Sequence, residues 1–214
     1  MVQLGYILFG WILGLLGPLV VDAVKARRDR RKLAAAIRAE AEDLQYRVAI
    51  TSFLLAQRTG DLSRDFLVWL RPQLIKYKGN EPVQSSRKFV EALLKAPEDQ
   101  LLAVARSMQA EEGVGLSLKR FQASVIESSL GHLPNFPVEY QGRIHEFQNQ
   151  LGGLNQEIDR ALERQRMTFD SSIADHNHER LKADVVAKYR FIQGMCMRVA
   201  DRLQAIIEYD GSRI

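Results

Sequence analysis

Between residues 4 and 21 the chain carries no charged side chain, and six cations follow within eight positions, from 25 to 32. Eighteen residues at 1.5 Å each make a helix of about 27 Å, close to the hydrocarbon thickness of a bilayer. Tyr6 and Trp11 suit the headgroup level, where amphipathic rings collect. A cleaved signal peptide competes with this reading, since Val21-Asp22-Ala23 loosely resembles a cleavage site. However, no basic segment precedes the run, the run exceeds a usual signal core, and the cations follow it. An uncleaved transmembrane anchor over residues 1–24 is therefore expected.

Orientation follows from the same asymmetry. Lys25, Arg27, Arg28, Arg30, Arg31 and Lys32 face only Asp29, so this stretch alone accounts for the formal net charge of +4 and the remainder is near neutral. A cluster directly after an apolar run is matched to anionic lipid headgroups, so membrane lipids are the expected partner of residues 4–32 and nucleic acid is not. The positive-inside tendency puts the N-terminus outside the plasma (inner) membrane and the main domain in the cytoplasm. Gly10, Gly14 and Gly17 fall on one helical face, which predicts a candidate self-association edge of the small-xxx-small kind.

The cytoplasmic part reads as all-α. No Pro or Gly interrupts residues 21–58. Leu33, Ile37, Ala41, Leu44, Val48, Ser52 and Leu55 form a stripe at three- and four-residue spacing. The anchor is thus expected to continue into a long helix over 25–60, ended by Gly60 in a left-handed conformation. Residues 61–131 are punctuated differently. Asp61 is placed to cap a helix that Pro72 kinks or stops, Pro82 and Pro97 open two more, and Gly113-Val-Gly115 precedes a fourth ending near Leu130. This predicts an inserted subdomain of short helices.

Residues 132–209 carry two further stripes. One contains Ile144, Phe147, Leu151, Leu154, Ile158, Ala161 and Leu162; the other contains Val185, Tyr189, Ile192, Cys196, Val199, Leu203 and Ile206. Between them, Ser172-x-x-Asp175 resembles a helix start, which favours an antiparallel hairpin over one continuous helix of about 70 residues. The hairpin and the long N-terminal helix are expected to bundle over about 45 to 50 Å. Gly142, Gly152, Gly153 and Gly194 sit inside these patterns, where close helix contact would offset their cost. Residues 210–214 read as a tail.

The search for chemistry is mostly negative. Gly113-x-Gly115 lacks the third glycine and flanking elements of a nucleotide loop. His145-Glu146 and His178-Glu179 lack the second histidine of a zinc-protease helix. Asp175 and His178 share a helical face but have no matching second half elsewhere, and a solvated helix start explains them. Cys196 is the only cysteine, so no intrachain disulfide forms, and between Met195 and Met197 it reads as a buried hydrophobe. No catalytic residue, metal or cofactor is expected.

Residues 66–70 are five apolar residues in a row, more than a one-sided surface helix needs. They are either buried between the bundle and its neighbours or exposed to a membrane or partner, with Phe66, Trp69, Leu70 and Tyr77 as the candidate partner-binding face. The layout resembles many small bacterial proteins with one N-terminal span and a helical cytoplasmic domain. It implies an interaction or sensor module that recruits a cytoplasmic partner without catalysis. The alternatives are a membrane effector that homo-oligomerises through its span and a tethered enzyme with dispersed catalytic residues.

Overall fold

The computed structural model describes residues 2–77, 82–109, 116–170 and 175–209; the side chains of 2–10, 12, 13, 15, 16, 18, 19, 82, 83, 175 and 176 lie outside that description. The described residues form helices and connecting segments, with no strand: α1 (Val2–Thr59), α2 (Arg64–Lys76), α3 (Pro82–Lys95), α4 (Glu98–Met108), α5 (Ser124–Ser128), a 3-10 turn (Leu130–Asn135), α6 (Val138–Met167) and α7 (Asp175–Ile207). The chain is an all-α helical bundle.

Helix α1 runs 58 residues without a break, about 87 Å at helical rise. Gly60 stops it with φ of +74°. The Asp61 N–H closes on the Ala56 carbonyl at 2.9 Å and the Gly60 N–H on that of Gln57 at 3.3 Å, the paired arrangement a glycine allows at a helix end. Every described side chain from Val20 to Asp29 is exposed, and Arg30 is the first to be partly covered. The N-terminal part of α1 therefore overhangs the bundle. Among the described residues no helix is long and apolar enough to cross a membrane; of the uncharged run 4–21, only Trp11, Gly14, Gly17, Val20 and Val21 have described side chains.

Helices α6 and α7 are separate and antiparallel. Arg143 donates to the Ala205 carbonyl, Arg202 pairs with Glu146 and Arg164 with Asp184, so one number falls as the other rises. Helix α7 also runs antiparallel to α1, with Gln45 beside Ala200 and Ser52 beside Gln193. It is thus the helix shared by both long partners. Its buried stripe, from Val185 through Tyr189, Ile192, Cys196 and Val199 to Ile206, meets Ile37, Leu44 and Val48 of α1 and Ile144, Phe147 and Leu154 of α6 in one core.

Residues 116–136 complete that core, and the expected fourth short helix lies there as α5. Only Ser124–Ser128 is α-helical. Leu118, Phe121, Ala123, Ile126, Leu133 and Phe136 are buried between α1 and α6. Asn155 on α6 holds the Phe121 backbone extended through two hydrogen bonds of 2.9 Å. Glu40 on α1 accepts from the N–H groups of Val125 and Ile126 at 2.9 and 2.7 Å, satisfying donors that a short helix leaves free.

Helices α2 to α4 cover a second core on the other side of α1, where Ala49, Phe53 and Ala56 meet Phe66, Leu67, Leu70, Leu74, Val90 and Leu101. Two local expectations change here. Ser63, not Asp61, caps α2, accepting from the Phe66 N–H at 3.2 Å, because the Asp61 carboxylate is bound to Arg190 at 2.7 Å. Pro72 does not stop α2, which continues to Lys76; Pro72 and Val68 are both exposed, so the ring sits on the solvent side of the helix, where the lost helical hydrogen bond costs least. Gly142 and Gly152 have nothing within 4 Å of an added Cβ, so close helix contact does not explain them.

Candidate functional site

The end of the bundle nearest the overhang gathers the candidate residues. Residues 24–32 lie on one uninterrupted helix because nothing in them breaks it. Lys25, Arg27, Arg28, Arg31 and Lys32 are exposed and Arg30 is half-buried. Ion pairs elsewhere use cations from Arg38 to Arg202, yet among the described residues none involves this cluster. Among the described residues no ion pair therefore compensates its charge, and Asp29 is the acid within the stretch. Arg30 differs from its neighbours: its guanidinium donates to the Asn135 carbonyl at 3.1 Å, tying α1 to the 3-10 turn.

Between them runs an open groove of about 720 Å³, with Ala26, Asp29 and Leu33 on one wall and His132, Pro134 and Phe136 on the other. The turn presents Leu130 (36% exposed) and is followed by Val138 (82% exposed). These residues were not singled out from sequence. Their only signal is the Pro134 and Pro137 loop, and folding alone sets it beside Asp29 and Arg30, on the face of α1 opposite Arg27, Arg28, Arg31 and Lys32.

A second cleft, of about 390 Å³, lies between α1, α2 and α7 and is walled by Arg38, Gln45, Gln73, Lys76, Gln204 and Glu208. Gln45 is buried and donates to the Ala200 carbonyl at 3.1 Å and to Gln204 Oε1 at 2.9 Å. Lys76 reaches Glu208 at 3.5 Å. Gln73 Oε1 is buried with no hydrogen-bond partner among the described residues. The cleft offers hydrogen bonds and paired charges, with no nucleophile and base placed together.

Of the candidate partner-binding residues, Phe66 and Leu70 point inward, while Trp69 and Tyr77 are half-buried. Phe66 and Leu70 are buried in the second core. Trp69 is half-buried, stacked on Phe66 with centroids 5.7 Å apart, and its indole N–H donates to Asp201 at 3.0 Å. Tyr77 stacks on Tyr46 with centroids 4.1 Å apart and donates to Asp43 at 3.3 Å. Burial, the Asp43 charge and that hydrogen bond raise the Tyr77 pKa. As a free partner face this set is corrected: two anchors are already enclosed by α1, α3 and α4. The outward side of α2 carries Val68, Pro72 and Ile75 instead, at spacings of four and three.

Gly14 and Gly17 are exposed, with nothing within 4 Å of an added Cβ; the side of Gly10 lies outside the described residues. Among the described residues no group of three His, Cys, Asp or Glu is placed to hold a metal ion, and Asp175 and His176 lie outside that search. Cys196 is buried, and its thiol pKa is pushed up to about 12 by burial. No family model, curated protein or solved structure matches this chain.

Proposed function

We propose that the chain is a single-pass membrane protein that presents its helical bundle on the cytoplasmic side as a recruiting or sensing module, without catalysis. One observation carries the reading: α1 overhangs the bundle, with Trp11, Val20, Val21 and Val24 all more than half exposed. An apolar helix standing in water is unfavourable by about 25 cal/mol for each Å² of apolar surface. Lipid removes that cost, and the uncharged run of residues 4–21 has the required length. Because α1 is continuous, anchor and bundle are joined by a helix rather than a slack linker.

The test is fractionation of the full chain carrying a C-terminal tag. The native protein is expected to resist alkaline extraction from membranes. Leu13→Arg with Leu16→Arg, each costing about 2.5–3.5 kcal/mol at a span centre, moves it to the soluble fraction. Native protein extracted by alkali ends the proposal. Purification in mild detergent then addresses the partner: a stoichiometric second protein supports recruitment, and a lone monomer argues against it.

A second reading, an effector assembling through its span, is favoured by the open edge at Gly14 and Gly17. It predicts cross-linked oligomers that disappear with Gly14→Ile.

A further inference from the structure

We propose that the 3-10 turn and the start of α6 are a second membrane contact, seating the base of the bundle on an anionic bilayer surface. The inference rests on the anchored reading above and adds where, and by which residues, the bundle itself meets lipid.

Height along α1 is the first argument. The turn faces Ala26, Asp29 and Leu33 across the groove, so its near edge is about 7 to 12 Å and its far edge about 18 Å along the helix from Val21. The headgroup layer of one leaflet is about 5–7 Å thick, and an ordinary tilt of about 20° lowers one side of the bundle further. The turn therefore lies at or just above the headgroups once residues 4–21 span the bilayer.

Chemistry is the second. Leu130, Pro134 and Val138 are exposed at this end, and Val138 at 82% is the most exposed large hydrophobic side chain described. Apolar tips at the level of a basic stretch are a composition that binds at a lipid interface. Arg27, Arg28, Arg31 and Lys32 are exposed at the same height on the opposite face of α1, with no ion pair among the described residues, and are matched to lipid phosphates at about 1 kcal/mol each. The nearest acid on α6, Glu139, is neutralised by Arg143 at 2.6 Å. The Arg30 bond to Asn135 holds the turn at this height.

Three variants of the full chain, each adding one cysteine, test it, labelled with an environment-sensitive fluorophore; buried Cys196 stays unlabelled in the folded protein. They are Val20→Cys, Val138→Cys and Glu163→Cys, the last about 37 Å further along α6. The chain is reconstituted in vesicles of phosphatidylcholine and phosphatidylglycerol, roughly 7:3, containing nitroxide-bearing lipids. The expected result is blue-shifted, nitroxide-quenched emission at Val20 and Val138 but not at Glu163, with the Val138 effect weakened in pure phosphatidylcholine. Quenching at Val20 with none at Val138 overturns this proposal and leaves the anchor standing. No quenching at Val20 overturns both.

Discussion

Asn155 grips Phe121 by both polar atoms of its backbone, donating from its amide nitrogen to the carbonyl and accepting from the N–H with its amide oxygen, each at 2.9 Å. The pair is buried, so neither backbone group has water as a substitute. This bridge lets a non-helical strip, residues 116–123, lie inside an otherwise helical core. Asn155→Ala is expected to lower stability by about 2–3 kcal/mol, the cost of two buried groups left unmade. Asn155→Asp keeps the acceptor and loses the donor, and is expected to remain below the native protein. Urea unfolding followed by circular dichroism measures both. A midpoint unchanged by the alanine variant contradicts the role given to the bridge.

Glu157 makes acid stability measurable at one site. Lys188 reaches its carboxylate at 2.5 Å, and Arg160 also bonds to it. The hydrogen bond from Lys188 is the largest cause of its lowered pKa, opposed by partial burial. A carboxylate with a depressed folded pKa contributes stability that is complete above its unfolded value, about 4.3. That contribution is lost as pH falls through the lower folded value. The native protein is therefore expected to lose more stability on acidification below about pH 4.5 than Glu157→Gln does. Identical slopes for the two proteins exclude the contribution.

Two glycines should respond in opposite directions to alanine. Gly152 is a helix-interior residue with open space where a Cβ would stand. Gly152→Ala is expected to stabilise α6 by about 1 kcal/mol. Gly60 sits at φ +74°, with Gln109 Oε1 3.2 Å from an added Cβ. Gly60→Ala is expected to destabilise the protein by about 1 kcal/mol. Thermal melts of both variants beside the native protein read the signs directly.

The thiol of Cys196 is expected to be inert in the folded state. With its pKa pushed up to about 12 by burial, the reactive thiolate is scarce at pH 8. Maleimide labelling should therefore follow unfolding, rising across the urea transition. Rapid labelling of native protein at pH 8 contradicts the burial.

Much of the helical plan was legible from sequence because its signals are local. The stripe from Ile37 to Leu55 is buried, including Ser52, whose hydroxyl reaches the Gln193 carbonyl at 3.4 Å. Gly60, Pro82 and Pro97 mark helix ends as their conformational limits require. Asp61 misled because it matches a capping pattern, while a distant Arg190 held its carboxylate and left Ser63 to cap α2. The segment after residue 115 carries the expected short helix, but its non-helical part was not legible because the residue that holds it, Asn155, is 34 positions from Phe121. The apolar run of residues 66–70 left open whether α2 is buried or faces a partner, and did not tell which residues point inward.

By itself the sequence determined the helices, most of their ends, the uncharged run and the basic cluster that follows it. Each depends on neighbours within four residues, the reach of a helical hydrogen bond and of a side-chain stripe. The tertiary structure alone decided that α7 serves both α1 and α6 and that residues 116–136 enter the core. It also decided that Phe66 and Leu70 face inward and that Asn135 meets Arg30. These pairings join groups up to 159 positions apart, as in Gln45 and Gln204. They are chosen by which surfaces bury each other best, a property of the assembled chain that no local pattern contains.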